Sequence, residues 1–103
     1  TLFCDKLVTL TTTVTTTSYS QQNADSILLV DDDTAGSTVT INLLLGSTAY
    51  DGSTLKIKKL GTTANVIIDG SGAQTIDGAA TFTLTTQYES VTIICDGTNW
   101  FII

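Results

Sequence analysis

The sequence predicts an all-β domain, a compact β-sandwich or β-roll of about eight short strands. Polar and apolar residues alternate with a period of two, as in Val39, Ile41 and Leu43, and this period is typical of strands with one buried face. Threonine is the commonest residue, and its branched Cβ favours a pleated sheet over a helix. Proline is absent, and tight turns are predicted at four Asp-Gly pairs, namely Asp51-Gly52, Asp69-Gly70, Asp77-Gly78 and Asp96-Gly97.

The strands predicted from this alternation follow one another at short, regular intervals. Their ranges are 7–16, 26–30, 38–43, 54–60, 65–69, 81–85, 90–95 and 99–103. The repeated Ile-Asp-Gly at 68–70 and 76–78 could mark turns of a solenoid, but two copies are few, and we interpret them as ordinary hairpins.

The N-terminal segment differs from the rest of the chain. Threonine occupies every second position from Thr9 to Thr17, and only Leu10 and Val14 lie on the opposite face. Residues 1–18 are therefore predicted to form a Thr-rich arm or edge strand that links to an upstream region, and residues 19–103 the β module. We expect the chain to be a domain of a longer polypeptide.

Composition excludes several classes of partner. Ten acidic residues against four lysines give a net charge of −6, which repels a phosphate backbone and argues against nucleic acid. Apolar runs are far shorter than the roughly 18 residues that predict a membrane span. The apolar fraction of 42% argues against disorder.

The two cysteines lie near opposite ends of the chain. A bridge between Cys4 and Cys95 would close a long loop, but two cysteines do not make a disulfide framework. We favour Cys95 as a small buried hydrophobe, with the bridge as the alternative.

The C-terminal strand is apolar on both faces. Trp100 and Ile102 point to one side, and Phe101 and Ile103 point to the other. Such a strand is central in a two-layer domain or meets another subunit, so these four residues are the predicted core and oligomer interface.

From about Tyr19 to the C-terminus, the chain resembles a C-terminal module of bacteriophage tail-fibre and related virion proteins. The resemblance rests on the order of several stretches: Asp25-Ser-Ile-Leu-Leu-Val-Asp31, Ala35-Gly-Ser-Thr-Val-Thr-Ile-Asn-Leu43, Tyr50-Asp-Gly-Ser-Thr-Leu-Lys-Ile-Lys-Lys59, Ala64-Asn-Val-Ile-Ile-Asp-Gly70, Gln74-Thr-Ile-Asp-Gly78, Tyr88-Glu-Ser-Val-Thr-Ile94 and Asp96-Gly-Thr-Asn-Trp-Phe101. The chain departs from the family at Leu44 and Leu45, where a proline usually follows the leucine. The resemblance implies a β-rich, commonly trimeric part of a virion appendage, which contacts other virion proteins or a host surface and has no catalytic residues.

The residues themselves offer little catalytic chemistry. Histidine is absent, so Ser-His and Cys-His nucleophiles are excluded and the usual zinc ligand is missing. A hydrolase would need a carboxylate of the Asp31–Asp33 turn to pair with Asp69 or Asp77. We predict no enzymatic activity and no cofactor.

Calcium is the more serious chemical alternative. Asp31, Asp32 and Asp33 place carboxylates on one turn, as calcium ligands require, but the spacing is not that of an EF-hand loop. We prefer a solvated acidic turn that ends a strand and discourages edge pairing.

Three of the four lysines, Lys56, Lys58 and Lys59, lie on one predicted strand. They are a possible surface contact for an acidic glycan or an acidic subunit, or they protect an exposed edge from pairing, which we prefer. The scattered aromatics Tyr19, Tyr50, Tyr88 and Trp100 could stack on sugars, although a tryptophan on an apolar strand is more often core.

Three functions therefore compete. The first is a homo-oligomeric structural module of a tail fibre or related virion appendage. The second is a carbohydrate-binding module, and the third is a subunit of a self-assembling extracellular filament.

Overall fold

The computed structural model describes residues 11–22, 25–44 and 52–103. This part of the chain forms nine strands and one short helix. The elements are β1 Thr11–Val14, β2 Ser18–Ser20, β3 Ile27–Val30, α1 Asp32–Ala35, β4 Val39–Asn42, β5 Thr54–Lys59, β6 Val66–Asp69, β7 Thr81–Leu84, β8 Ser90–Cys95 and β9 Trp100–Ile102. The all-β prediction is confirmed, and β2 is a strand that the alternation did not reveal.

The strands form two mixed sheets. The first has five strands in the order β1-β3-β5-β8-β9, and the second has four in the order β2-β4-β6-β7. Along the first six strands the chain alternates between the sheets, and β1, β3 and β5 pair in parallel, as do β2, β4 and β6. Each successive strand pair is therefore one coil that adds a strand to both sheets.

The direction of pairing changes after the third coil. β7 pairs antiparallel with β6, β8 pairs antiparallel with β5, and β9 pairs antiparallel with β8. Strands β1–β6 are therefore arranged like the coils of a solenoid. The Ile-Asp-Gly repeat at 68–70 and 76–78 does not mark these coils.

Two of the predicted Asp-Gly turns show why the same pair of residues serves different purposes. Asp77 and Gly78 both have positive φ, at 50° and 85°, and Ile76 and Ala79 exchange backbone hydrogen bonds across them, which makes a two-residue hairpin. At Asp69-Gly70 there is no such hairpin, because 70–80 connect β6 to β7. Position 70 needs a glycine because the backbone of Gln74 passes close to it: a Cβ at this position would lie 2.5 Å from the carbonyl oxygen of Gln74.

A single core fills the space between the sheets. Alternate residues of both sheets are buried, as the period of two predicts, and the cluster contains Val14, Leu28, Val30, Val39, Ile41, Leu43, Leu55, Ile57, Val66, Ile68, Ile76, Leu84, Val91, Ile93, Cys95 and Trp100. Val14 belongs to this core, so the described part of the Thr-rich segment is a strand of the first sheet. The proposed domain division at residue 18 stays a prediction.

β9 lies at the end of the five-stranded sheet, and its outer edge is covered. Trp100 donates its backbone N–H to Thr75 O at 2.9 Å and accepts from Asp77 N–H at 3.0 Å. The Asp77 carboxylate accepts the next outward N–H, that of Ile102, at 3.0 Å. These bonds satisfy backbone groups along an edge that would otherwise be open to pairing with another strand.

Trp100 is the largest fully buried side chain among the described residues. Its indole N–H has no hydrogen-bond partner within this part of the chain, so the stabilisation comes from apolar contact and not from a polar bond. The core assignment of Trp100 is therefore confirmed.

We predict that Trp100→Ala lowers the free energy of unfolding by about 3–5 kcal/mol, because the substitution leaves a large cavity in the core. Thr83→Ala is the control, since Thr83 is exposed on the outer face of the four-stranded sheet and its truncation should cost much less. Urea denaturation followed by circular dichroism measures both. Equal losses for the two variants would contradict this assignment.

Candidate functional site

The acidic turn is built by local hydrogen bonds. Asp31 caps α1: its carboxylate accepts the Thr34 N–H at 3.0 Å and the Thr34 hydroxyl at 2.7 Å. Gly36 ends the helix with φ of 77°, and its N–H donates to Asp32 O. The single helical turn thereby directs the next two carboxylates away from β3 and towards the segment after β5.

Asp32 is fully buried, and its carboxylate is saturated by donors from that segment. Oδ1 accepts the Gly61 N–H at 2.8 Å, and Oδ2 accepts the N–H groups of Thr63 and Ala64, both at 3.0 Å. The interpretation of a solvated acidic turn is therefore wrong for Asp32. Its carboxylate replaces water as the partner of backbone donors that no strand satisfies.

Lys59 pairs with the buried carboxylate of Asp32. Its Nζ lies 3.2 Å from Asp32 Oδ2, with the two side chains only 1% and 0% exposed, and it also donates to Gly61 O at 2.5 Å. The surface contact predicted for Lys59 is wrong. The physical reason is strand parity: Lys59 lies two and four residues after the buried Ile57 and Leu55, so it points to the core side of β5.

Asp33 makes a second, exposed set of bonds to the same segment. Its Oδ1 accepts from the N–H groups of Thr62 and Thr63, both at 3.0 Å, and from the Thr63 hydroxyl. The two carboxylates are thus held at adjacent positions of 61–64. We call Asp32, Asp33, Lys59 and residues 61–64 the turn clamp.

Position 61 needs a glycine because the carboxylates of Asp32 and Asp33 lie against its Cα. A Cβ at this position would lie 2.6 Å from Asp32 Oδ1 and from two atoms of the Asp33 carboxylate. Sequence reasoning missed Gly61, Thr63 and Ala64, because these residues bind the Asp32 carboxylate through their backbone N–H groups, which every non-proline residue has. They also lie 29 to 32 residues after Asp32 in the sequence, and no periodic pattern connects the two segments.

The charge states follow from these contacts. Burial would raise the pKa of Asp32, but the Ala64 N–H, the Lys59 ammonium and the Gly61 N–H together hold it below its ordinary value. The bonds from Thr63 and Thr62 likewise lower the pKa of Asp33. Both groups are therefore bound as carboxylates.

Carboxylates hold other turns in the same way. Asp96 accepts the N–H groups of Asn99 and Thr98, and Glu89 accepts those of Thr85 and Thr86; in both cases these bonds lower the pKa of the acid.

In the first coil, Asp25 accepts the hydroxyl groups of Tyr19 at 2.8 Å and Thr12 at 3.2 Å. Burial, together with the bond to Asp25, raises the pKa of Tyr19 to about 12. The carboxylate of Asp25 thereby joins β1 and β2 to the segment before β3.

This arrangement leaves little metal-binding capacity on the acidic turn. A calcium ion would have to displace the protein donors from Asp32 and Asp33, and a group of three or more potential metal ligands is not found in 11–22, 25–44 and 52–103. No helix of the same ranges is long and apolar enough to cross a membrane.

The other two lysines remain at the surface. Lys56 is exposed, and Lys58 is half-buried, with its Nζ 5.7 Å from the centre of the Tyr88 ring. Tyr88 is 60% exposed and has a φ of 66°, a conformation that is uncommon for a bulky residue. The structure thus separates Lys59 from Lys56 and Lys58 and places Tyr88 beside the latter.

The C-terminal residues divide between core and surface. Trp100 is fully buried and Ile102 is half-buried on the core side of β9, whereas Phe101 and Ile103 are 41% and 69% exposed. Trp100 therefore cannot present its ring to a sugar. Cys95 is a buried thiol, and Cys4 and Tyr50 lie outside the described residues.

We predict that Asp32→Ala destabilises the protein by about 3–5 kcal/mol, since it removes the counter-charge of a buried ammonium and the acceptor of three backbone N–H groups. Lys59→Met should cost less, because the Asp32 carboxylate keeps its three N–H donors.

Chemical denaturation of the two variants measures this asymmetry, with Thr81→Ala on the four-stranded sheet as the exposed control, expected within about 0.5 kcal/mol of the wild type. A larger loss for Lys59→Met than for Asp32→Ala would contradict the clamp.

We also predict that stability is lost at acidic pH. The carboxylates of Asp32, Asp33, Glu89 and Asp96 have lowered pKa values, from ordinary values of 3.8 and 4.5, so the unfolded chain takes up protons first as the pH falls. Their contribution is complete above those ordinary values and declines below them. The urea midpoint should therefore fall between about pH 6 and about pH 3, and a constant midpoint would refute the direction of these shifts.

Calcium should leave the melting temperature unchanged. The carboxylate oxygens of Asp32 and Asp33 already accept hydrogen bonds from protein N–H groups, so calcium binding would offer no net gain. Thermal melts in calcium and in chelator test this, and a rise of several degrees with calcium would show that the turn coordinates the ion.

The chain matches no known protein family, and no curated protein matches it. The resemblance to virion modules is therefore carried by the stretches quoted above, and it stays a prediction.

Proposed function

We propose that this chain is a non-enzymatic structural module that assembles as a homo-oligomer, of the kind found in phage tail fibres and related virion appendages. One observation supports the assembly most directly. Phe101 and Ile103 remain exposed at the C-terminus of a domain whose other large apolar side chains, Tyr88 apart, are covered in the described residues. Exposed apolar side chains of this size mark contact with another protein surface.

The turn clamp supports the structural part of the proposal. Its charged groups hold two turns together, and they do so with bonds that a substrate or metal would have to break. A domain whose turns are fixed in this way presents a rigid surface, which suits a building block. The resemblance adds the setting, a trimeric appendage outside the cell that contacts other virion proteins or a host surface.

Carbohydrate binding is the second candidate, and Tyr88 favours it. This exposed ring lies beside Lys58, and an aromatic ring next to a cation suits an acidic sugar. The strained φ of Tyr88 is a feature found at ligand contacts. The proposal of a structural module does not depend on this contact, which could serve host attachment within it.

Sedimentation velocity of the purified chain tests the proposed assembly. We expect a stable oligomer, with a trimer as the predicted state, at micromolar concentration. A monomer under these conditions would refute the proposal.

Two further measurements distinguish the alternatives. In electron microscopy, discrete particles are expected, and long fibres would favour a filament subunit. On a glycan array, binding that is lost in Tyr88→Ala while the oligomer persists would assign host contact to Tyr88.

A further inference from the structure

The outer face of the five-stranded sheet differs from an ordinary solvated sheet face. Strand parity and register place five apolar side chains there, and each is exposed or half-buried: Ile27, Leu29, Ile94, Phe101 and Ile103. Lys56 and Lys58 lie among them, since Ile27 pairs with Lys56 and Leu29 with Lys58. We call this surface the lysine face.

The outer face of the four-stranded sheet provides an internal comparison. Its register brings together hydroxyl and amide side chains on three of the four strands, β2, β4 and β7, such as Ser18, Thr40, Thr83 and Asn42. Ile67 is the one apolar side chain among the strand residues described on that face, and Asp69 adds a negative charge. The apolar character of the lysine face is therefore a property of one sheet and not of the fold as a whole.

The charges are divided in the same way. Eight of the ten acidic residues lie in the described ranges, and none of them is on the lysine face; they occupy turns and the opposite sheet. Lys59 is neutralised by Asp32, so Lys56 and Lys58 are the unburied lysines of the part of the chain that the structure describes. A chain of net charge −6 thus has its described surface cations on its most apolar face.

This division of charge decides which partner geometry is favourable. If two lysine faces met across a twofold axis, four lysines would be brought together in a contact that excludes water, and like charges oppose such a contact. If the lysine face instead meets an acid-bearing surface of another copy, the charges are complementary. A contact between two different surfaces of identical chains is heterologous, and it closes into a ring when the rotation permits.

We propose that the lysine face is a subunit interface occupied by a second copy of this chain, in a heterologous, ring-closing arrangement. The inference rests on the proposed assembly and adds its surface and geometry. It accounts for two features together: exposed apolar side chains at the C-terminus and the separation of lysines from acids. The apolar side chains supply the buried area, and the lysines select the orientation.

Charged substitutions on and off the lysine face test the surface. Phe101→Lys and Ile103→Lys should each weaken association at least about tenfold in sedimentation equilibrium, because they place an unpaired charge in the interface. Ala73→Lys is the control in the exposed connection between β6 and β7, off both sheet faces, and should leave the association constant unchanged. Ile103 is the most exposed of these side chains, so Ile103→Lys should keep the wild-type circular dichroism spectrum.

Neutralising the lysines tests the geometry. The double variant Lys56→Gln/Lys58→Gln should associate more weakly than the wild type if the contact is heterologous. Tighter association would show that the lysines face each other across a twofold axis, and unchanged association would place them outside the interface; either result overturns the inference.

The outcomes separate this inference from the proposed function. An oligomeric wild type whose association survives Phe101→Lys and Ile103→Lys refutes the lysine face and leaves the assembly module standing. A monomeric wild type refutes both. Binding of an acidic glycan that Lys56→Gln/Lys58→Gln abolishes without changing the oligomer would assign the face to a host ligand and overturn the inference.

Discussion

The ion pair between Asp32 and Lys59 connects the turn that follows β3 to the end of β5, and so joins two successive coils. Parallel strands are joined by crossover segments, because each coil must return across the core before its next strand can pair, and the ion pair holds two of these segments together. Asp32 also binds the backbone of 61–64, which would otherwise bury N–H groups without partners. A lysine alone could not accept those bonds, and an apolar residue at position 32 would leave the donors unpaired. The path of the chain between β3 and β4 and between β5 and β6 is therefore fixed by this one charged contact.

The negative charge of the chain has a structural reason in this account. Acidic residues accept backbone N–H groups at turns throughout the described ranges, at Asp25, Asp31, Asp32, Asp33, Glu89 and Asp96. A carboxylate suits this purpose because it accepts several hydrogen bonds and donates none. The same use of acids at turns leaves the lysine face without acids. Fold stability and the proposed choice of partner surface thus follow from one distribution of charge.

Much of this architecture is predictable from the sequence, since the alternation of polar and apolar residues indicates which side chains are buried. Val39, Ile41, Leu55 and Ile57 are buried as their spacing predicts, and Trp100 is core. What alternation cannot report is the strand that each strand pairs with, because a period of two is common to parallel and antiparallel sheets. The parallel coils, and β2 among them, were therefore not foreseen. Lys59 shows the other limit: its parity places it with the core, but a lysine there requires a buried partner that lies far away in the sequence.

Hydrogen exchange of individual amides tests the turn clamp most directly. The N–H groups of Gly61, Thr63 and Ala64 lie outside the strands, so they would exchange rapidly if the segment were an ordinary surface loop. Their bonds to a buried carboxylate predict protection similar to that of the core amides of β5, and loss of that protection in Asp32→Ala under conditions where the β5 amides are still protected. Rapid exchange of these three amides in the wild-type protein would contradict the claim that Asp32 and Lys59 hold the coils together.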